Sequence, residues 1–388
     1  MRNKRTILAL LFIIFYLLFG SSLCALDVGM ILDQNADYLD SGSDTTFSYK
    51  GLLVPRLSGL LGETGEFYIS AGINYQNDPW SFVPELLHTE LSWRSKKIEL
   101  SLGRILYSDP LGFIASGLFD GGRFSFFTEA GTFSAGAWYT GFIYKKRISI
   151  DMTRGDSESN NAAFDYDNFI DSYFAPRRAF AALDWEHQGL GERVYARLSL
   201  LGQFDFTGTE LYSQYLTGKM TVPLKSFALS LGGCFELMEK SGKIDMAFAE
   251  ELEVSWNTSS QGLSFLARYS SAKSTSMAAF LPVTTNVQGH VYGIKLSGLS
   301  IVSLDYVARL HRTFTVALTP SYFIRSDLNN ATGKIFMGAE FFGAFYWSPL
   351  PDINVNLGGG VFLPSFGNVT PNGKTIWRVD LNLVLSLF

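Results

Sequence analysis

The chain has 388 residues, of which 47% are hydrophobic and 15% aromatic but only 17% charged, with a formal net charge of −5. So many aromatics over so little charge do not make an ordinary soluble surface, and the acidic balance excludes a generally basic nucleic-acid binder. Two cysteines and four scattered histidines exclude a disulfide framework and the paired ligands of a built zinc site.

Taken in order, the N-terminus comes first. Arg2, Lys4 and Arg5 precede an apolar run over residues 7–19, shorter than the roughly 20 residues of a membrane-spanning helix. Small residues follow at Gly20, Ser21, Ser22 and Ala25. This is the layout of a signal peptide over residues 1–25, with cleavage expected between Ser22 and Leu26. Cys24 raises lipidation as an alternative, but Ser21 and Leu23 stand where a lipobox wants an aliphatic and a small residue.

From residue 26 onward the hydrophobic pattern has a period of two, which puts successive side chains on opposite faces of a strand. Strands are predicted at 26–33, 45–57, 66–76, 85–94, 97–106, 121–128, 132–144, 178–187 and 193–204. They continue at 211–222, 226–237, 244–256, 262–270, 298–310, 313–325, 335–347, 352–363 and 375–388, eighteen in all. Sixteen would remain if 26–33 and one neighbour did not form. No linker divides the series, so residues 26–388 read as one domain. After the signal peptide no apolar run reaches the length of a membrane helix. A membrane protein built of strands must be a closed barrel, because lipid offers its backbone no hydrogen-bond partners. The predicted fold is therefore all-β, a transmembrane antiparallel barrel. Connector lengths agree with it: short turns such as 94–97 and 311–312 alternate with long loops at 109–120, 145–177, 271–297 and 364–374, as inner turns and outer loops do. Two residues resist. Pro320 falls mid-strand, where it calls for a bulge. Glu250 falls in the lipid-facing phase, which calls for a rim position or a shifted register.

The last strand is the clearest. Trp377, Val379, Leu381, Leu383, Leu385 and Leu387 share one face, while Arg378, Asp380, Asn382 and Ser386 share the other, and the chain ends on Phe388. This resembles the C-terminal strand of bacterial outer-membrane β-barrels, which finish on Phe and are read by the barrel-assembly machinery. The resemblance implies an assembly signal at Leu383, Leu385, Leu387 and Phe388, although Phe388 is out of phase with the three leucines. It also implies an outer-membrane location. A second resemblance runs from Leu102 to Thr140. Leu102-Gly103-Arg104, Asp109, Leu118-Phe119-Asp120-Gly121 and Tyr139-Thr140 are similar to the start of alginate-export-type porins. That supports a transport barrel of eighteen strands without carrying the alginate substrate, because a strongly basic conduit is not evident.

The polar phase of each strand defines the expected lumen wall: Lys50, Glu90, Glu99, Arg123, Asp184, Glu186, Arg197, Lys219, Glu236, Glu251, Glu253, Arg268, Asp305, Arg309, Arg325, Glu340, Arg378 and Asp380. Barrels of this size enclose water, and both signs of charge are present, so no single-sign selectivity ring is expected. The loop 109–120 is expected to fold inward as a constriction, because Leu111, Phe113 and Ile114 are too apolar to stand in water. No catalytic group stands out and no cofactor is expected. Asp165, Asp167, Asn168 and Asp171 lack the Gly and distal Glu of a Ca²⁺ loop and read as a solvated acidic loop. The function read from the sequence is an outer-membrane channel for small hydrophilic solutes. The alternative is a surface barrel whose loops bind an adhesion or envelope partner. Expected partners are outer-membrane lipid, the assembly machinery and the solute, with no nucleic acid; an oligomer is left open.

Overall fold

The computed structural model describes residues 23–77, 80–191, 193–327 and 333–387. Its strands are β1 (Leu23–Asp40), β2 (Thr45–Leu61), β3 (Gly65–Asn77), β4 (Trp80–Arg94), β5 (Ile98–Ser108), β6 (Ser116–Thr128) and β7 (Gly131–Tyr139). After two short helices, α1 (Arg154–Asn161) and α2 (Phe169–Tyr173), come β8 (Arg178–Leu190), β9 (Val194–Asp205), β10 (Leu211–Leu224), β11 (Phe227–Lys240), β12 (Lys243–Asn257) and β13 (Gln261–Ser270). A two-stranded hairpin, β14 (Val287–Gln288) and β15 (Ile294–Lys295), lies inside the next loop. The series ends with β16 (Leu299–His311), β17 (Phe314–Arg325), β18 (Phe336–Leu350), β19 (Ile353–Leu363) and β20 (Ile376–Leu387).

Apart from β14 and β15, all strands form one 18-stranded antiparallel sheet. It closes because β20 pairs with β1 from Met30–Leu387 to Asp40–Trp377. All eighteen predicted strands are present, and the sixteen-strand alternative falls. The first strand, read as residues 26–33, is the longest at 18 residues, and it is laddered to β2 on one edge and to β20 on the other. The segment 140–144, read as the end of a strand, turns instead, with Ile143 N–H donating to Thr140 O.

Large apolar side chains cover the outer face: Leu198, Leu200 and Phe204 on β9, and Trp377, Val379 and Leu381 on β20, are all exposed. Among the described residues no helix is long and apolar enough to cross a membrane. Pro320 produces no bulge. The β16–β17 register is the same on both sides of it, and only the pairs at its level drop out. Glu250 lies neither at a rim nor at a shift. Unbroken ladders on both sides hold it on the outer face at the middle of β12, opposite Gly233 and Tyr269. A bulge does occur in β4, between the pairs Ser70–His88 and Ala71–Leu86. It places one extra residue on that strand, so that Leu87 is buried although its neighbour His88 also takes the inward side.

Candidate functional site

The predicted signal peptide lies outside the described residues except for Leu23–Ala25, which begin β1, and Phe388 also lies outside them. Leu383 and Leu385 are half-buried and Leu387 is exposed at the end of β20.

The lumen is organised by a belt of charges at one level of the wall. Pairing places Glu186 on β8 beside Arg197 on β9, Arg197 beside Lys219 on β10, Lys219 beside Gly232 on β11, Gly232 beside Glu251 on β12, and Glu251 beside Arg268 on β13. Each residue takes the inward phase of its strand, so register alone brings them together. Glu251 is held between two cations: Lys219 Nζ donates to Oε1 at 2.8 Å, and Arg268 Nε donates to Oε2 at 3.0 Å. The third guanidinium nitrogen of Arg268 donates to Gln288 Oε1 at 2.6 Å. Arg197 lies 3.9 Å from Glu186. The belt has three cations and two carboxylates, a surplus of one positive charge.

The loop between β5 and β6 docks on this belt. Leu111, Phe113 and Ile114 are buried in the main apolar cluster inside the barrel. Phe113 lies over the Arg268 guanidinium with 4.5 Å from Cζ to the ring centroid, a stacking that a partly desolvated cation favours. Leu111 fits against Gly232, where a Cβ would come within 2.2 Å of its methyl carbon. The loop is shaped by Asp109, which accepts backbone N–H groups of Leu111 and Gly112 on one oxygen and of Ile114 and Ala115 on the other, at 2.8–3.0 Å. Burial pushes the Asp109 carboxyl above its usual range, against the pull of these four donors.

A second loop, residues 271–298, also turns inward. Its Phe280 and Val283 join the same cluster, and Thr284 N–H donates to Ile114 O at 3.0 Å. Two wall carboxylates hold it. Glu236 accepts Leu281 N–H at 2.9 Å. Glu340 accepts the N–H groups of His290, Val291 and Tyr292 at 2.6, 3.0 and 2.8 Å. Both were expected to face open water. Both are instead fully buried, because the loop's donors replace water on them.

The other expected wall residues are dispersed. Arg123 Nη2 donates to Ser134 Oγ at 3.1 Å, and Asp184 accepts Tyr107 OH at 3.4 Å. Glu90 lies 3.0 Å from His88. Arg378 pairs with Asp37 and donates to His290 O; Asp380 is opposite Asp37 in the closing ladder. Lys50 is exposed opposite Asn35, and Arg325 lies 3.6 Å from Asp327 at the outer end of β17. Asp305, in the middle of β16, and Arg309, toward its far end, stand away from the belt, whose level on β16 is Ile301, opposite Arg268. Sequence reasoning missed the inward fold of 271–298 and its two clamps. The signal was there in Phe280, Val283 and Val291, apolar residues in a segment too long for a simple turn. Among the described residues no group of His, Cys, Asp or Glu is placed to hold a metal.

This closed barrel of eighteen antiparallel strands is a fold found among solved structures. Solved structures from Pseudomonas aeruginosa share it along nearly the whole chain. OpdK with vanillate aligns at TM-score 0.65 and 10% identity, over 95% of this chain and 100% of that one. OccK2 (OpdF) in complex with glucuronate aligns at 0.63 and 13%, over 94% and 97%. OccK11 (OpdR) aligns at 0.63 and 12%, over 94% and 97%. No family model matches the sequence, and no curated protein matches it. At these identities the likeness is one of fold.

Proposed function

We propose that the protein is a channel of the outer membrane, not an enzyme, which passes small hydrophilic solutes through a constriction between loop 109–115 and the Arg197–Lys219–Glu251–Arg268 belt. The observation that carries this reading is the stacking of Phe113 on Arg268, which brings an inward loop against the charged wall at one level of a water-sized barrel. Vanillate and glucuronate, named with two of the fold neighbours, are small carboxylates. The belt's surplus positive charge suits the same class here. A cleaved signal peptide, insertion by the barrel-assembly machinery and a lipid-facing outer surface complete the reading.

The test is conductance of the refolded full chain in planar bilayers. Wild-type protein should give discrete channel openings with weak anion preference. Deleting residues 111–116 should raise the conductance. Absence of openings from heat-modifiable protein would refute the channel, and unchanged conductance after the deletion would refute the constriction.

A further inference from the structure

The longest break in the ladders of the barrel wall lies between β4 and β5. β5 keeps eleven pairs with β6, from Ile98–Phe126 to Ser108–Ser116. It keeps only six with β4, and they stop at Thr89–Arg104. Above that level β5 leans into the lumen, where Tyr107 OH lies 3.3 Å from Ser199 Oγ and Arg197 Nη2 donates to Ser108 O at 3.0 Å. The upper half of β4 is left with an unpaired edge facing β5. Pro84 sits on that edge, a residue that an internal strand does not tolerate.

Lipid leaves no backbone group unpaired, and here side chains do the pairing. Tyr166 OH accepts Phe82 N–H at 2.8 Å and donates to Phe82 O at 3.1 Å; Tyr173 OH donates to Pro84 O at 2.8 Å. Arg104 donates to Leu86 O. Both tyrosines belong to loop 140–177, which packs Tyr144, Phe164 and Phe174 around Val83 and sets Arg147 2.9 Å from Glu85. Burial, with the Glu85 carboxylate beside them, pushes the Tyr144 and Tyr173 phenols up to about 12, so both stay neutral. The foot of the seam is where the Gly-Arg and Asp-Gly pairs of the sequence meet. Arg104 forks onto both oxygens of Asp120 at 2.8 Å and reaches Phe142 O at 3.0 Å. Beside it Gly103, at φ +123°, leaves no room for a Cβ against Thr89 O. A cavity of about 140 Å³ at this level is lined both by lumen-facing Glu90 and Arg123 and by Leu106, an outward position. The outer lips are apolar: Phe82, Leu86, Leu106, Phe142 and Ile170 are all exposed.

We propose that this seam is a side door. Displacement of loop 140–177 opens the wall between β4 and β5 on the side of the long loops, and small amphipathic molecules with an aromatic or alkyl body pass there between lumen and lipid. The path suits them, since its inner lining carries Glu85, Arg147 and phenol hydroxyls while its outer lips are apolar. Opening here breaks no strand ladder above Thr89–Arg104, only side-chain bonds, most of them made by a loop. The door does not require the axial pore to conduct, so it stands or falls separately from the channel reading.

The test uses entry of 1-N-phenylnaphthylamine, a dye that fluoresces on reaching membrane lipid, into cells expressing the full chain. Phe82→Cys with Tyr166→Cys, both at exposed positions, bridged by a short dimaleimide, ties the loop to β4; Cys234 is buried and does not compete. Bridging should lower dye entry to the level of cells lacking the protein, with bilayer conductance unchanged. Tyr166→Phe with Tyr173→Phe should raise dye entry by at least about tenfold, the effect of losing three hydrogen bonds from the closed state at about 0.5 kcal/mol each, the low end of their usual worth. The heat-modifiable band shows in each case that the barrel has formed. Dye entry indifferent to the bridge, conductance and dye entry falling together, or dye entry unchanged in the double Phe variant would each overturn the proposal.

Discussion

Two loops fold into the lumen and are held there by opposite means. Loop 109–115 is shaped from within: Asp109 gathers four N–H groups of its own loop, so the turn would keep its form wherever it docked. Loop 271–298 is shaped from outside. Its only regular structure is the β14–β15 hairpin, and its backbone is caught by Glu236 on β11 and Glu340 on β18, on distant parts of the wall. The short loop therefore carries its conformation in nearby sequence. The long one borrows its conformation from strands that must form first.

The largest effect should come from Asp109→Ala. It leaves the buried N–H groups of Leu111, Ile114 and Ala115 without an acceptor, each costing about 1–3 kcal/mol before water enters, for a net loss of roughly 3–5 kcal/mol in the docked loop. Hydrogen exchange over residues 109–115 should accelerate sharply, and conductance should rise and become noisy. Asp109→Asn, which keeps a single acceptor oxygen, should fall between. Protection that survives Asp109→Ala would mean that the wall, not the aspartate, shapes this loop, and the contrast would fail.

Glu340→Ala should come next, at about 2–4 kcal/mol, since three donors lose their partner. Exchange should quicken at residues 287–295, while residues 109–115 stay protected. The two loops do touch, through Thr284 N–H to Ile114 O and Asn286 Nδ2 to Gly112 O. If Glu340→Ala also frees residues 109–115, they are one cooperative unit rather than two.

The same contrast explains how much could be read from sequence. All eighteen barrel strands were legible, because a wall that is apolar on its outer face and polar on its inner face imposes strict alternation. The Asp109 loop was legible too, since Leu111, Phe113 and Ile114 lie close together and have only the interior to hide in. The belt was partly legible: the inward phase identifies Arg197, Lys219, Glu251 and Arg268, but their common level depends on the register of five strands, which alternation does not fix. Glu236 and Glu340 were misread as water-facing because the donors that bury them come from a loop remote in sequence, and phase cannot tell a watered carboxylate from a capped one. The β4–β5 seam left one trace, Pro84, which makes sense only once the strand edge is known to be free.

The smallest predicted effect sharpens the contrast most, because it moves a loop without touching its clamp. Gly232→Ala would place a Cβ 2.2 Å from the Leu111 methyl carbon. That atom is the free end of a flexible side chain, so Leu111 can rotate, and the overpacking should cost about 1 kcal/mol, at the low end of the usual range. The four bonds to Asp109 are untouched, so residues 109–115 should remain protected from exchange. What should change is the seat of the loop: Phe113 moves off Arg268, and conductance shifts modestly without added noise. Gly233→Ala is the matched control, because its Cβ would meet only Ala249 O, at 3.9 Å, on the outer face. Equal conductance in the two variants would show that Leu111 does not seat the loop. Loss of protection in Gly232→Ala would show that the short loop, like the long one, depends on the wall for its shape.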